Sequence, residues 1–294
     1  MSVTMNNSIL YVITVLIWGS TWLAIEYQLG VVEPEVSIAY RYAAAALVLF
    51  AWCGFRGLPL RFGVRDHGYF VLLGLLLFCL NYIFAYRAQV HITSALAAIV
   101  FSTMLWMNII LSRVFFGTRA TSRVLIGAML GIVGIVVLFA PQIESITFTD
   151  SVFFGSTLAL GGALTASLGN MLSQSAQKRA LPVVAANTWG MFYGAILTGA
   201  VALVSGHEFN FDATFTYITS LAYLAIFGSV IAFGAYLTLL GRIGAHKAGY
   251  VTVMFPVVAV ILSMAFEGLQ LSGIIVTGTA LVLLGNLLVL KKDT

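Results

Sequence analysis

An all-helical protein that crosses a lipid bilayer ten times is predicted by three observations. Hydrophobic residues make up 61% of the 294 and charged residues only 8%, against about 25% charged in a soluble domain. The apolar residues come in long runs broken by short polar patches, and each run supplies roughly the 20 residues that a membrane helix needs. The basic residues gather in alternate polar patches. Together these exclude a soluble enzyme, a secreted domain and a nucleic-acid binder. The net charge of +4 marks one face of a membrane instead.

The first run, 8–28, has no basic leader and no small-residue cleavage pattern, and it is too long for a signal-peptide core, so it reads as a helix. The second, 35–54, follows Pro34, whose missing N–H is free at a helix start. Spans follow at 67–87, 93–113, 122–140 and 152–176. The seventh, 183–204, opens behind Pro182. The eighth, 215–240, and the ninth, 246–267, precede a last span at 271–290. Pro59 and Pro141 fall in loops. Pro256 falls inside the ninth span, where it removes a backbone hydrogen bond and frees a carbonyl near residue 252, so it is the expected hinge. Cys53 and Cys79 lack any metal-ligand spacing and read as small buried apolar residues.

With the N-terminus placed in the cytoplasm, the inner segments hold Arg56, Arg61, Arg65, Arg113, Arg119, Arg123, Lys178, Arg179, Arg242, Lys247, Lys291 and Lys292, twelve of the fourteen basic residues. Glu33, Glu35, Glu144, Asp150, Glu208 and Asp212 fall in outer loops. Cationic residues stay cytoplasmic, so both termini are expected inside. A shift of 151 residues aligns Leu111, Ser112, Phe115, Gly117, Gly127, Leu130 and Gly134 with Leu262, Ser263, Phe266, Gly268, Gly278, Leu281 and Gly285. The chain therefore divides into repeats at 1–145 and 146–294. Each holds five spans, and an odd number makes the second enter from the opposite side, the plan of an alternating-access transporter.

No catalytic constellation appears. The four histidines, His67, His91, His207 and His246, are widely separated and near loops, and no HExxH, GxSxG or phosphate-binding glycine loop is present. Neither a metal nor a cofactor is expected. The polar and aromatic residues deep in the spans carry the functional expectation. Trp18, Thr21 and Trp22 share one helical face. Asn81, Tyr82 and Tyr86 follow in the third span, Ser102 and Trp106 in the fourth, Asn170 and Gln174 in the sixth, Tyr236 in the eighth and Tyr250 in the ninth. Aromatic stripes at such spacing also serve plain helix packing. Asn170 and Gln174 stand out because an amide in hydrocarbon costs several kcal/mol unless it is paired or wetted. Gly127 with Gly131, and Gly190 with Gly194, form small-xxx-small pairs suited to close packing. Arg41, two turns into the second span, either snorkels outward or pairs with an acid such as Glu26.

Four motifs carry a resemblance. They are Trp18-Gly19-Ser20-Thr21-Trp22, Pro34 through Arg41, Tyr86 through Thr93-Ser94-Ala95-Leu96-Ala97-Ala98, and Gly244-Ala245-His246-Lys247-Ala248 through Pro256. On these the chain, over 8–290, resembles the EamA-type ten-helix branch of the drug/metabolite transporter superfamily, and within it the YddG-like amino-acid exporters. The resemblance implies a multi-pass protein of the bacterial inner membrane that exports amino acids, aromatic ones included. It also implies a central cavity walled by helices 1, 3, 4, 6, 8 and 9, with 5 and 10 peripheral. The branch often carries Gly-Glu at the cytoplasmic end of the fourth span; here Thr118 follows Gly117, and the ninth span has the reverse order, Glu267-Gly268.

The expected partners are a small-molecule substrate and the bilayer, with no nucleic acid. Two halves in one chain can enclose a full pathway, so a monomer can serve, with oligomers left open. Export of cationic drugs is one alternative, but the drug-exporting four-helix relatives carry a carboxylate mid-way along helix one, where this chain has Trp18 to Trp22. A phosphorylated-sugar transporter is another, and it would want Lys or Arg inside the bundle.

Overall fold

The computed structural model describes residues 5–140, 149–266 and 271–290. Pro141, Glu144, Glu267, Gly268, Lys291, Lys292 and the boundary between residues 145 and 146 lie outside the described residues. All regular structure described is helical. The helices are α1 (Asn7–Glu26), α2 (Pro34–Arg56), α3 (Val64–His91), α4 (Ser94–Phe101 continuing as Met104–Phe116), α5 (Ser122–Leu138), α6 (Asp150–Lys178), α7 (Val183–Val204), α8 (Phe215–Ile243), α9 (Ala245–Ala248, Tyr250–Val253 and Phe255–Phe266) and α10 (Gly273–Leu290). Among the described residues, nine helices are long and apolar enough to cross a membrane, and α5 is shorter at 17 residues. A 17-residue helix rises about 25 Å, at the short end of what spans a bilayer core. The chain is a polytopic, all-helical membrane protein.

The helix starts follow local chemistry. Side chains of Asn6, Thr93, Thr121, Thr149 and Thr214 each accept a bond from a backbone N–H in the first turn of α1, α4, α5, α6 and α8, which satisfies donors that lack a helical partner. Pro34 is the first residue of α2 and Pro182 immediately precedes α7. Gly117 closes α4 in the left-handed region at φ 68°, where a side chain is strained.

Close packing rests on glycines. A Cβ on Gly127 would lie 2.7 Å from the Gly285 carbonyl, and one on Gly278 would lie 2.8 Å from the Gly134 carbonyl, so α5 and α10 run antiparallel at backbone contact. The small-xxx-small pair Gly190 and Gly194 meets α3 at Gly74 and Phe78. Small residues do this in lipid because helices there gain no hydrophobic drive to associate and must win by van der Waals contact. Cys53 and Cys79 are both free and buried.

Three features depart from straight helices. Residues Gly74–Leu80 of α3 and Leu224–Ile231 of α8 are wound as π-helix. At Ser229 the hydroxyl donates to the Leu224 carbonyl five residues back, 2.9 Å away. α4 breaks at Ser102 and Thr103, and α9 breaks at Gly249 and Met254. The two π segments coincide under a 151-residue shift, and so do the breaks at Thr103 and Met254. Pro256 is not where α9 is interrupted. It is the second residue of the segment Phe255–Phe266, a position where a helix needs no N–H donor. The discontinuity lies just before it.

Candidate functional site

One cavity sits among α1, α3, α4, α6, α8 and α9, the helices that the family resemblance implies. Trp18, Thr21, Trp22, Asn81, Tyr82, Asn170 and Tyr236 line it. So do Ile25, Leu77, Ala85, Phe101, Met104, Ala166, Phe233, Thr252 and Phe255, which the sequence reading did not single out. No charged side chain is among these lining residues. The cavity leaves room for water centres over about 70 Å³. On that measure a single water takes about 10–15 Å³, so the space holds a few waters. It must widen to take a metabolite, because ligand pockets run to about 300–1,000 Å³.

Its apolar wall is a ring cluster. The Trp18 ring lies 4.8 Å from Phe233, 4.8 Å from Tyr236 and 6.1 Å from Phe255, all tilted or edge-on, which suits the ring quadrupoles. Trp22 meets Phe101 edge-on at 5.0 Å. The indole N–H of Trp18 donates to the Gly228 carbonyl at 3.0 Å, so the π segment of α8 gives this deep Trp its polar partner. Polar groups sit at two places. The Asn170 amide nitrogen donates to the Tyr236 hydroxyl at 3.0 Å and to Asn108 Oδ1 at 3.3 Å. Asn81 donates to the Leu77 carbonyl at 3.3 Å, and its Oδ1 is buried without a partner. The hydroxyl of Thr252 donates to the Gly249 carbonyl at 2.8 Å, across the first break of α9.

The other residues singled out from sequence are held elsewhere. Tyr250 is wedged between α5 and α10, where its hydroxyl lies 3.0 Å from the Val282 carbonyl and 3.3 Å from that of Gly127. Tyr86 donates to Gln28 Oε1 at 2.9 Å, behind Tyr82. Ser102 donates to the Ile99 carbonyl at the α4 break. Trp106 packs half-buried against the main core. Gln174 accepts the Ala245 N–H at 3.2 Å and so closes the start of α9. Helical periodicity put these residues on interior faces, but Tyr250 and Thr252 are two residues apart in the segment Tyr250–Val253, so they point to opposite sides of α9.

Arg41 neither snorkels nor reaches Glu26. Glu26 is exposed. Arg41 is fully buried, with Nε on Ser229 Oγ at 2.9 Å and Nη2 3.4 Å from the Tyr82 hydroxyl.

A polar-tipped aromatic cavity enclosed by broken and π-wound membrane helices defines a membrane transporter rather than an enzyme. The chain belongs to the EamA-like transporter family, which matches residues 6–140 and 153–291. It is similar to the uncharacterized inner membrane transporter YedA of Escherichia coli strain K12, at 27% identity over 93% of this chain and 89% of that one. It is also similar to protein PagO of Salmonella typhimurium, at 25% over 90% and 86%. A probable amino-acid metabolite efflux pump of Escherichia coli strain K12 is 23% identical over 94% and 93%. A solved crystal structure shares the fold with a TM-score of 0.79 over 97% of this chain and 96% of that one, at 19% identity.

Proposed function

We propose that the protein exports small neutral or zwitterionic metabolites, amino acids first among them and aromatic ones included, across a bacterial inner membrane by alternating access. The observation that carries this reading is the cavity wall: aromatic rings with Asn81, Asn170 and Thr252, and no charged side chain among its lining residues. Rings supply apolar contact while amides and hydroxyls orient a polar end. A carboxylate for a cationic drug is missing from this wall, as are the paired cations that a phosphate would use. The name of the efflux-pump relative favours amino acids.

Alternating access needs two halves that rock about the cavity, and we take these as inverted repeats meeting near residues 145 and 146, with both termini cytoplasmic. Two facts support this. The contact between Gly134 and Gly278 becomes that between Gly285 and Gly127 under the 151-residue shift with the partners exchanged. The π segments and the breaks at Thr103 and Met254 recur at the same offset.

The test is counterflow in liposomes loaded with unlabelled amino acid, without a proton gradient. Labelled Phe, Leu and Thr should accumulate and labelled Lys should not. Trp18→Ala or Asn170→Ala should cut the accumulation at least tenfold. Folded protein that exchanges none of them would overturn the amino-acid assignment.

A further inference from the structure

The cavity ends one side chain short of a buried cation. Arg41 of α2 is 0% exposed, and among the described residues it makes no ion pair. Its polar partners are neutral: Ser229 at 2.9 Å and the Tyr82 hydroxyl at 3.4 Å. The guanidinium also lies over the Tyr82 ring, 4.4 Å from its centroid, and 5.3 Å from that of Tyr42. Nη1 is buried with no hydrogen-bond partner. The nearby Tyr86 hydroxyl, which gives its own proton to Gln28, is a further neutral oxygen on the guanidinium.

A charge held in this way is costly. Burying an ion costs solvation free energy that a well-placed counter-charge returns, and cations inside a membrane bundle mark pathways for what they bind. Ring faces and neutral hydroxyl oxygens offset part of that cost, supply no counter-charge and leave Nη1 without a hydrogen bond. Tyr82 and Thr21 separate the guanidinium from the cavity, and both line it. Gly228 is the thin point of this wall: a Cβ there would lie 3.1 Å from Thr21 and 3.2 Å from Arg41 Nη2.

We propose that Arg41 is the receptor for the substrate's carboxylate, reached when the cavity widens past Tyr82 and Thr21. This rests on the export reading above and narrows it to substrates bearing a carboxylate. A single guanidinium offers a two-pronged donor edge that fits a carboxylate in the plane. One positive charge matches one negative charge, whereas a phosphate dianion would call for a second cation, and no Lys or Arg lines the cavity to supply it. The apolar remainder of the substrate then faces the rings around Trp18.

The test compares ligands before it compares variants. Purified protein in detergent is titrated with phenylacetate, phenylalanine, phenylalaninamide and phenethylamine, and binding is read from tryptophan fluorescence, because Trp18 and Trp22 line the cavity. The same four compounds compete in the counterflow assay. The two carboxylates should bind at least tenfold more tightly than the two compounds without one. Arg41→Gln should abolish that preference and Arg41→Lys should keep part of it. Gly228→Ala leaves the charge in place but narrows the passage to it, and it should weaken the carboxylates alone. Equal binding of all four by the wild type would overturn the proposal, as would an unchanged preference in Arg41→Gln. The wild-type ligand series needs no variant, so misfolding of Arg41→Gln leaves the proposal exposed to test. Carboxylate-selective binding without counterflow would sustain the role of Arg41 and sink the export reading. Counterflow without carboxylate selectivity would do the reverse.

Discussion

At the scale of single residues, the cavity is built by polar groups that hydrocarbon would not tolerate alone. Trp18 is 8% exposed and buries both its rings and its N–H. Trp18→Phe keeps an aromatic surface against Phe233 and Tyr236 but leaves the Gly228 carbonyl without its donor. A loss of about 1 kcal/mol is expected from that bond, seen as a small drop in the thermal midpoint in detergent. Trp18→Ala empties the cluster as well and should cost about 3–5 kcal/mol. Equal melting of the two variants would show that the hydrogen bond, and not the ring packing, holds this wall. The same rule made Asn170 stand out in the sequence, since an amide at membrane depth must find a partner. It holds for Tyr250 too, and there the partner is a helix carbonyl away from the cavity. The chemical need can be read from sequence, but the direction in which it is met cannot. Phe101, Phe233 and Phe255 carried no polar atom to betray them, and nothing separated them from the chain's other 18 phenylalanines.

At the scale of elements, ten apolar runs were enough to mark ten helices to within a few residues, because length and charge exclusion decide spans. Their distortions were hidden. A π segment needs one residue beyond the regular winding, and Gly74 and Gly228 in these segments look in sequence like any other membrane glycine. Pro256 pointed to the right region of α9 for the wrong reason, since the helix is interrupted at Met254 and the proline is the second residue of the next segment. The glycine pairs were better guides. Gly131 faces the Tyr250 hydroxyl, and an added Cβ would also lie 2.8 Å from Val253 Cγ1 and 2.9 Å from Tyr250 Cζ. Gly131→Ala should therefore push α9 away from α5 and destabilise the protein by about 1–3 kcal/mol. Tyr250→Phe alone should cost about 1 kcal/mol for its lost bond to a backbone carbonyl. The two changes touch one contact, so their effects should not add: with the hydroxyl gone, the new methyl is partly accommodated. Thermal melts of the two single variants and the double variant measure this coupling, and strictly additive losses would place the strain at Val253 instead.

At the scale of the whole molecule, a cluster of charged side chains ties α2 to α3, and the tie bears on access to the cavity. Glu35 opens α2, and Arg87 near the end of α3 grips it with two parallel bonds, at 2.8 Å from Nε and 2.7 Å from Nη2. Glu33 adds a contact of 3.2 Å to the same guanidinium, and His207, between α7 and α8, stands 3.4 Å from Glu35. Glu33 and Glu35 were legible as outer-loop acids, but their meeting with Arg87 and His207 was not, since it joins positions 33, 35, 87 and 207 across both proposed halves. Exposed ion pairs add little, about 0–1 kcal/mol. Glu35 is 4% exposed, however, and a fork-to-carboxylate bond at a buried acid is stronger and fixed in direction. On the proposed topology this cluster lies at the outer end of the bundle, as does Ile25 near the end of α1, which lines the cavity. Breaking it should shift the population toward an outward-open state, since closure there loses contacts that the open state never had. Arg87→Gln keeps the shape and removes the charge; Arg87→Lys keeps the charge and removes the fork. In a background with Cys53 and Cys79 replaced by serine and Ile25 by cysteine, a membrane-impermeant maleimide added from outside should label residue 25 several-fold faster in Arg87→Gln, with Arg87→Lys in between. If all three proteins label at one rate, the ion cluster fastens α2 to α3 without governing the mouth, and the barrier to opening belongs to the aromatic contacts of Trp18 and Trp22 beneath it.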